Sequence, residues 1–188
     1  MSNKAVFLDR DGTINIDKNY LYRIEDFEYK PRVIEGLRLL QNRGFLLVII
    51  TNQSGIARGI FTEEQYLSLN DWMIKDLARK GINIAASYYC PHHPEAVIPQ
   101  YRKKCKCRKP GIELFEKAIA DLDIDQNNSY AIGDRERDLF ICVHRKIKGF
   151  LIDSDNYRRI DERIYAIPGG LYEAAERITR EENGKMDQ

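Results

Sequence analysis

Short apolar runs alternate along the chain with longer stretches in which apolar residues recur at helical spacing. Four of the runs are rich in branched and aromatic residues and apolar almost throughout, which is typical of strands buried on both faces of a sheet. They are residues 4–9, 45–51, 129–134 and 148–153. The pattern therefore predicts a strand in each of these four places.

Three stretches between the runs predict helices. Residues 31–44 repeat apolar side chains at helical spacing and end at a glycine, a candidate C-terminal cap. Residues 62–81 open with Thr62 as a candidate N-cap, and Gln65 stands three positions later, which is the spacing of a capping box. A third helix is predicted over residues 112–122.

Strand and helix in alternation indicate a doubly wound, Rossmann-like α/β fold, with a parallel sheet and helices on both faces. In such sheets, ligands bind at the carboxyl ends of the strands. Residues 88–110 depart from the alternation, because they are rich in proline and basic residues and follow neither period. A helix from about Leu171 precedes a polar tail from about residue 175. We expect one domain over residues 1–188.

The composition narrows the kind of partner. The chain has 188 residues, with 30 lysines and arginines against 29 aspartates and glutamates, and a formal net charge of +1. Because there is no basic excess, we expect a small-molecule partner and no nucleic acid. No apolar run approaches membrane-spanning length, and the N-terminus lacks the apolar region of a signal peptide, so we expect no membrane partner and a cytoplasmic location. We also expect a monomer.

Two aspartates stand one residue apart where the first predicted strand ends, in the stretch AVFLDRDGTIN at residues 5–15. If Asp9 closes the strand, Asp9 and Asp11 can point into one crevice, and Gly12 lets the backbone turn sharply beside them. Adjacent carboxylates repel unless a cation or a shared proton intervenes, and Mg²⁺ prefers carboxylates together with phosphate oxygens. A calcium loop is excluded, because Ile14 stands where an EF-hand loop needs glycine. A pair of solvated turn residues is the alternative.

Three more polar clusters lie near strand or helix ends. Thr51 and Asn52 end the second strand and offer a hydroxyl, an amide and backbone N–H groups, which suit an anionic oxygen. Lys109 precedes a helix, where a cation is a poor partner for the helix dipole but a good phosphate clamp. Asp134 follows a strand, as a metal ligand would, whereas we interpret Asp138 as a carboxylate that fixes the loop. Each cluster alone could be an ordinary solvated strand exit or loop.

In the order strand-DxDGT, strand-TN, Lys and strand-GDxxxD, the clusters resemble the haloacid dehalogenase superfamily of phosphohydrolases, over roughly residues 4–153. More narrowly, five motifs are similar to those of the D-glycero-D-manno-heptose 1,7-bisphosphate phosphatase family. They are FLDRDGTIN, TNQSGIARG, CPHHPE, CKCRKP and IGDRERD. The resemblance implies a haloacid dehalogenase-type sheet with a zinc-binding loop insertion and little or no cap domain.

The resemblance implies a Mg²⁺-dependent phosphomonoesterase that removes the 7-phosphate of a heptose 1,7-bisphosphate. Asp9 would be the nucleophile that forms an aspartyl-phosphate, and Asp11 the general acid and base. Asp9, the backbone carbonyl of Asp11 and Asp134 would hold Mg²⁺. The family's contacts to the phosphoryl group and the sugar fall on Asp17, Tyr20, Thr51, Asn52, Gln53, Ser54, Arg108, Lys109 and Arg135.

Three cysteines and one histidine lie towards the ends of the proline-rich loop. Cys90 and His92 form a C-x-H pair, and Cys105 and Cys107 form a C-x-C pair. Three thiolates and one imidazole are a closed tetrahedral set of the kind used for structural zinc. The family that the chain resembles carries zinc at these positions, and its C-P-H match selects His92 over the histidine that follows. We therefore predict a structural Zn²⁺ that orders this loop.

Two alternatives stay open. Arg135 stands where heptose phosphatases often have lysine and histidinol phosphatases, a sibling family with the same plan, often have arginine, so histidinol phosphate is the alternative substrate. The alternative from another class is a zinc-stabilised binding module without catalysis, which would contact nucleic acid through YRKKCKCRKP. Against the module, competent residues occupy every catalytic position, the basic run is short and the net charge is near neutral.

Overall fold

A computed structural model of the chain describes residues 2–154 and 161–186. Its strands are β1 (Ala5–Leu8), β2 (Leu46–Asn52), β3 (Ile84–Cys90), β4 (Tyr130–Gly133), β5 (Lys148–Leu151) and β6 (Ile164–Ala166). They form one six-stranded sheet in the order β3-β2-β1-β4-β5-β6. Every neighbouring pair is parallel. The doubly wound parallel sheet predicted from the sequence is therefore confirmed.

Helices cover both faces of the sheet. They are α1 (Val33–Asn42), α2 (Ser54–Ala57), α3 (Glu63–Arg79), α4 (Glu113–Asp121), α5 (Phe140–His144) and α6 (Leu171–Met186). Val6 and Leu8 of β1 point to the face covered by α1, α3 and α6, and Ala5 and Phe7 point to the face covered by α4 and α5. Because β1 is buried on both faces, its residues are apolar throughout.

The strand order creates a crevice between two neighbouring strands. From β1 the chain winds outwards through β2 to β3, and then returns to place β4 on the other side of β1. The loops that leave the carboxyl ends of β1 and β4 therefore run to opposite sides, which opens a ligand-binding crevice at this point in doubly wound folds. Asp9 follows β1 and still donates its N–H to the Ile132 carbonyl at 3.1 Å. Asp134 follows β4, so both aspartates stand at the crevice.

The four predicted strands and three predicted helices are all present. Thr62 caps α3 through its side chain, and Gln65 completes the capping box. Two strands had no strong signal. The edge strand β3 is only half-buried along its centre, so it needs no apolar run, and β6 has only three residues.

The C-terminal helix extends beyond its predicted core. Helix α6 begins at Leu171, as expected, and continues to Met186, so most of the polar segment predicted from about residue 175 is helical. Ala175 and Ile178 of this helix are buried in the core. Within the part of the chain that the structure describes, no helix combines the length and the apolar character needed to cross a membrane.

Candidate active site

A cleft of about 350 Å³ lies at the carboxyl ends of the strands. Loops that follow β1, β2, β3 and β4 supply its walls. It contains every residue that the sequence assigned to catalysis or substrate contact. These residues are Asp9, Asp11, Asp17, Tyr20, Thr51, Asn52, Gln53, Ser54, Arg108, Lys109 and Arg135. Residues from distant parts of the chain thus meet where the strand order opens the sheet.

Lys109 lies between two carboxylates at the base of the cleft. Its Nζ is 2.7 Å from Asp9 Oδ1 and 2.7 Å from Asp138 Oδ1. It also donates a hydrogen bond to the Ile50 carbonyl at 2.7 Å. The side chains of the three charged residues are only 1 to 8% exposed. A buried lysine is tolerated here because two carboxylates and a carbonyl replace its water shell.

Burial and charge set the proton affinities of this group. Burial of Asp9 and the nearby charge of Asp138 raise the pKa of Asp9 to about 7, although Lys109 opposes the shift. Burial alone would lower the pKa of Lys109, but the carboxylates of Asp9 and Asp138 raise it. The lysine therefore stays charged, whereas the charged form of Asp9 is destabilised by its surroundings. A carboxylate of this kind gains from a further cation or from bonding to an electrophile.

Asp134 completes an acidic group that fits a divalent cation. Oxygens of Asp9, Asp134 and Asp138 all lie within 4.8 Å of one another. Both oxygens of Asp138 have partners, because Oδ1 faces Lys109 and Oδ2 accepts the Arg135 N–H at 3.0 Å. Asp134 Oδ1 is buried and has no hydrogen-bond partner. An orphaned buried carboxylate oxygen is costly unless a cation binds there, so these residues fit Mg²⁺.

Gly12 holds the backbone close to this acidic group. Its φ of +88° belongs to the left-handed region that glycine tolerates best. A Cβ atom here would lie 2.3 Å from Asp134 Oδ2. Burial and the charge of Asp138 raise the pKa of Asp134. Gly12 is therefore needed for two reasons: its backbone makes the turn, and its lack of a side chain leaves the space that Asp134 occupies.

Asp11 is held by an arginine that the sequence did not single out. Arg10 is fully buried, and its Nη2 and Nε contact both carboxylate oxygens of Asp11 at 2.8 to 3.2 Å. Asn15 Nδ2 and Gln53 Nε2 each donate to Asp11 at 2.9 Å. Burial alone would raise the pKa of Asp11, but the Arg10 charge and these hydrogen bonds lower it. In this structure Asp11 is therefore a stabilised carboxylate, one residue from an Asp9 carboxylate that is destabilised.

The two polar residues at the end of β2 position other groups. Asn52 Oδ1 accepts the Lys109 N–H at 3.0 Å, and Asn52 Nδ2 donates to the Lys109 carbonyl at 3.1 Å. Thr51 is buried, and its hydroxyl accepts a hydrogen bond from Gln53 at 2.9 Å. The Asn52 side chain thus fixes the backbone that carries Lys109, a role that the sequence alone did not indicate.

The outer wall of the cleft carries the predicted sugar contacts. Arg135 lies 3.1 Å from Asp134 and 3.6 Å from Asp17, so two carboxylates share its charge. Asn19 and Tyr20 have φ values of +53° and +62°, which is unusual for residues other than glycine. Tyr20 is 42% exposed. Strained, exposed backbone is common where a loop is shaped to contact a ligand.

Three cysteines and one histidine meet beside the cleft, as the sequence predicted. The Sγ atoms of Cys90, Cys105 and Cys107 are 3.1 to 3.5 Å apart, and His92 Nδ1 is 3.3 Å from Cys107 Sγ. All four donor atoms lie within 4.8 Å of one another. The sulfur distances are too long for a disulfide but suit ligands that share one tetrahedral ion. This donor set fits zinc.

Three residues that support the site were either not singled out from the sequence or only partly interpreted. Arg10 and Asn15 hold Asp11, and Asp138 pairs with Lys109 in addition to fixing its loop. The available signal for Arg10 was a charged residue between two aspartates directly after a buried strand. Asp138 carried no signal for its ion pair, because the pair joins residues that are distant in the sequence.

The parallel sheet and the acidic, lysine-containing crevice define a phosphatase of the haloacid dehalogenase type. The family model of polynucleotide kinase 3 phosphatase matches residues 4–157. A D-glycero-beta-D-manno-heptose-1,7-bisphosphate 7-phosphatase from Photorhabdus laumondii is 50% identical over 143 residues, 76% of this chain and 76% of the relative. The chain belongs to the heptose-1,7-bisphosphate 7-phosphatase family.

Two further relatives bear on substrate and cofactor. A D-glycero-alpha-D-manno-heptose-1,7-bisphosphate 7-phosphatase from Photorhabdus laumondii is 46% identical over 136 residues, 72% of this chain and 74% of the relative. The crystal structure of a D,D-heptose 1,7-bisphosphate phosphatase from B. bronchiseptica, complexed with magnesium and phosphate, is 27% identical with a TM-score of 0.82. That comparison covers 95% of this chain and 99% of the other.

Proposed function

We propose that this chain is a Mg²⁺-dependent phosphomonoesterase that removes the 7-phosphate of D-glycero-D-manno-heptose 1,7-bisphosphate. The observation that carries the reaction type is the buried Asp9 carboxylate, which contacts Lys109 at the base of a cleft rich in arginine. The heptose bisphosphate comes from the names of relatives that are up to 50% identical. A monomeric, cytoplasmic enzyme stays our expectation.

Asp9 and Asp134 would hold Mg²⁺, together with the backbone carbonyl of Asp11. The orphaned oxygen of Asp134 supports this assignment, and the B. bronchiseptica relative was crystallised with magnesium and phosphate. When bound, the ion supplies positive charge that offsets the negative charge of the phosphate oxygens. Asp138 would position other groups of the site, because one of its oxygens pairs with Lys109 and the other accepts the Arg135 N–H.

In this proposal, a carboxylate oxygen of Asp9 attacks phosphorus, and the bond from phosphorus to the sugar oxygen breaks. The ammonium group of Lys109 stabilises negative charge on the phosphoryl oxygens, and Asn52 holds its backbone in place. The hydroxyl of Thr51 and neighbouring backbone N–H groups offer further hydrogen bonds. The result is an aspartyl-phosphate, which water then hydrolyses at phosphorus to regenerate the Asp9 carboxylate.

Asp11 would move the protons. It donates a proton to the leaving sugar oxygen and later accepts one from the attacking water. Arg10 and Gln53 stabilise its charged form, which suits the second, basic role. The negative charge of an incoming phosphate raises the pKa of a nearby carboxyl group, which favours the protonated form for the first role. Gln53, Asn15 and Arg10 orient the carboxyl group for both.

Zn²⁺ would be held by Cys90, His92, Cys105 and Cys107 and would have a structural role. The support is the closed set of donor atoms, all within 4.8 Å of one another. Lys109 stands two residues after Cys107, and its ammonium group reaches Asp9. A metal that orders the loop would therefore also hold the phosphate clamp in position.

We expect Cys105→Ser to remove bound zinc, because a missing thiolate opens a tetrahedral site whose binding free energy stabilises the loop. Elemental analysis of protein purified without chelator should give one zinc per chain for the wild type and almost none for the variant. The melting temperature and turnover should fall together. Cys142→Ala is the matched control, because Cys142 is a buried thiol of α5 outside the cluster and its loss should leave the zinc content unchanged. Zinc-free active wild-type protein would refute the assignment.

Substrate choice is tested by comparing two phosphate esters. We expect kcat/KM for heptose 1,7-bisphosphate to exceed kcat/KM for histidinol phosphate by at least about 100-fold, which corresponds to about 2.7 kcal/mol of transition-state discrimination. Both heptose anomers should be assayed at saturating Mg²⁺, because relatives named for either anomer are 46 to 50% identical. A preference for histidinol phosphate would overturn the substrate but not the reaction type. No Mg²⁺-dependent phosphate release from either ester would favour the non-catalytic binding module.

A further inference from the structure

Lys30 is a mostly buried cation that does not line the cleft but contacts the turn of the DxDG motif. Its side chain is 18% exposed, and its Nζ donates a hydrogen bond to the Gly12 carbonyl at 3.0 Å. Its backbone N–H donates to the Ile14 carbonyl, also at 3.0 Å. None of the sequence motifs includes this lysine. It nevertheless holds the turn that follows the nucleophile at two points.

Three consecutive carbonyl groups of this turn differ in their partners. The Arg10 carbonyl accepts three backbone N–H groups of the same turn, and the Gly12 carbonyl accepts Lys30 Nζ. The Asp11 carbonyl lies between them in the chain, and no residue that the structure describes donates a hydrogen bond to it. This carbonyl is the one that the proposed function assigns to Mg²⁺. The contacts of its two neighbours therefore fix the turn and leave this oxygen available.

A carboxylate from another strand holds the lysine in place. Lys30 Nζ also pairs with Asp153 Oδ2, and Asp153 follows β5. The backbone N–H of Asp153 donates to the Gly169 carbonyl at 2.9 Å, so the carboxylate is itself anchored. In the sheet, β1 and β5 are the two neighbours of β4, and Asp134 follows β4. Lys30 therefore joins the loops on both sides of the strand that carries Asp134.

The turn has little freedom to move without affecting the metal ligands. The Asp11 carbonyl belongs to the planar peptide that ends at Gly12, and glycine has the fewest restrictions on backbone rotation. A hydrogen bond from Lys30 to the Gly12 carbonyl limits that rotation. Gly12 is also packed closely against Asp134, because a Cβ atom here would lie 2.3 Å from Asp134 Oδ2. Groups that orient metal ligands commonly change metal affinity by about 10- to 100-fold.

We propose that Lys30 is a positioning residue for Mg²⁺, which holds the Gly12 peptide so that the Asp11 carbonyl stays available to a cation beside Asp9 and Asp134. This inference rests on the proposed function and adds to it a residue outside the cleft on which metal affinity depends. A turn that is fixed before the metal arrives lowers the ordering cost of binding.

Position and charge predict opposite effects when the lysine is lost. Asp153 neutralises Lys30, so Lys30→Met leaves the negative charge of Asp153 uncompensated. An added negative charge attracts a cation and would strengthen metal binding. Loss of the hydrogen bond to Gly12 frees the turn and would weaken metal binding. The direction of the change in metal affinity therefore separates the two effects.

The test measures binding of Mn²⁺, a paramagnetic substitute for Mg²⁺, to the zinc-containing protein without substrate, from the EPR signal of free Mn²⁺. We expect the Kd for Mn²⁺ to rise by about 10-fold in Lys30→Met, at the lower end of the range for residues that orient metal ligands. Lys30→Arg keeps a charged donor and should restore most of the affinity. Lys30→Gln is a second uncharged variant whose shorter side chain should also raise the Kd.

A kinetic measurement and a control accompany the binding data. With heptose 1,7-bisphosphate, the Mg²⁺ concentration that gives half the maximal rate should rise in Lys30→Met by a similar factor. KM for the ester and kcat at saturating Mg²⁺ should change far less. Lys75→Met is the control, because Lys75 is 68% exposed on α3 and pairs with Asp71 at the surface. Its Kd for Mn²⁺ should equal that of the wild type.

Three outcomes overturn the inference. An unchanged or lower Kd in Lys30→Met and Lys30→Gln would reject the positioning role and leave the proposed function standing. Weak binding that Lys30→Arg does not restore, together with a lower melting temperature in all three variants, would give the lysine a role in folding only. If the wild type binds no Mn²⁺ at millimolar concentration, the metal site of the proposed function is wrong, and the inference with it. Weaker binding in Lys30→Met without phosphate release by the wild type would support the inference and reject the proposed function alone.

Discussion

Asp9→Asn abolishes turnover of heptose 1,7-bisphosphate, with kcat lower by at least about 10⁴-fold, because a neutral amide cannot attack phosphorus. The fold should survive, since asparagine has nearly the same shape and Lys109 keeps its partner Asp138. The surroundings of Asp9 raise its pKa to about 7, so its charged form is destabilised in the folded protein. At neutral pH and without metal, we therefore expect the free energy of unfolding to stay the same or to rise.

A loss of turnover without a loss of folding stability would show that Asp9 has a chemical role rather than a structural one. Phosphate release gives kcat, and urea unfolding in the presence of a chelator gives the free energy of unfolding. Asp71→Asn is the control, because Asp71 is 63% exposed on α3 and pairs with Lys75 at the surface. Turnover of the control should be unchanged. Substantial turnover by pure Asp9→Asn would remove the aspartyl-phosphate mechanism from consideration.

Lys109→Met has the opposite effect on stability. It leaves the buried carboxylates of Asp9 and Asp138 without the cation between them. We expect the free energy of unfolding to fall by about 3–5 kcal/mol in metal-free buffer, as is typical when one partner of a buried ion pair is lost. We expect kcat to fall by about 10²–10³-fold, because charge on the phosphoryl oxygens loses a fixed positive partner.

A second substitution tests the electrostatic cause of this loss. The double variant Lys109→Met, Asp138→Asn lacks the negative charge of Asp138 as well as the lysine. Much of the free energy of unfolding lost in Lys109→Met should therefore return, while activity stays low. Lys117→Met is the control, because Lys117 is 59% exposed and forms a surface pair with Asp121, and its loss should change stability by about 0.5 kcal/mol or less. Full stability of Lys109→Met in chelator would contradict the proposed role of the lysine as a buried counter-charge.

Local signals in the sequence were sufficient for most of the architecture and for singling out many of the residues that the structure brings together in the cleft. The apolar runs of β1, β2, β4 and β5 reflect burial on both faces, which leaves few choices of side chain. Asp9 and Asp11 directly follow such a run, so their place at a strand end can be read from neighbouring residues alone. The same holds for Thr62 and Gln65, whose capping box spans a single turn.

Contacts between distant segments could not be predicted from the sequence, because they depend on which strands become neighbours. Lys109 is 100 residues from Asp9, and their 2.7 Å contact forms because Asn52, at the end of the strand next to β1, holds the Lys109 backbone. The sequence therefore suggested a lysine that binds phosphate, but not its burial between Asp9 and Asp138. The motif resemblance supplied this lysine's role, and the tertiary structure supplied its counter-charges.

The sequence by itself determined four of the six strands, the acidic motif and the cluster of three cysteines and one histidine, because each leaves a pattern within a few residues of chain. Only the tertiary structure decided which charges are paired. Arg10 and Arg58 are both arginines within a family motif, yet Arg10 is fully buried against Asp11, and Arg58 has no carboxylate partner among the described residues. The physical reason is that burial and ion pairing depend on distances in space, which a linear pattern of residues does not contain.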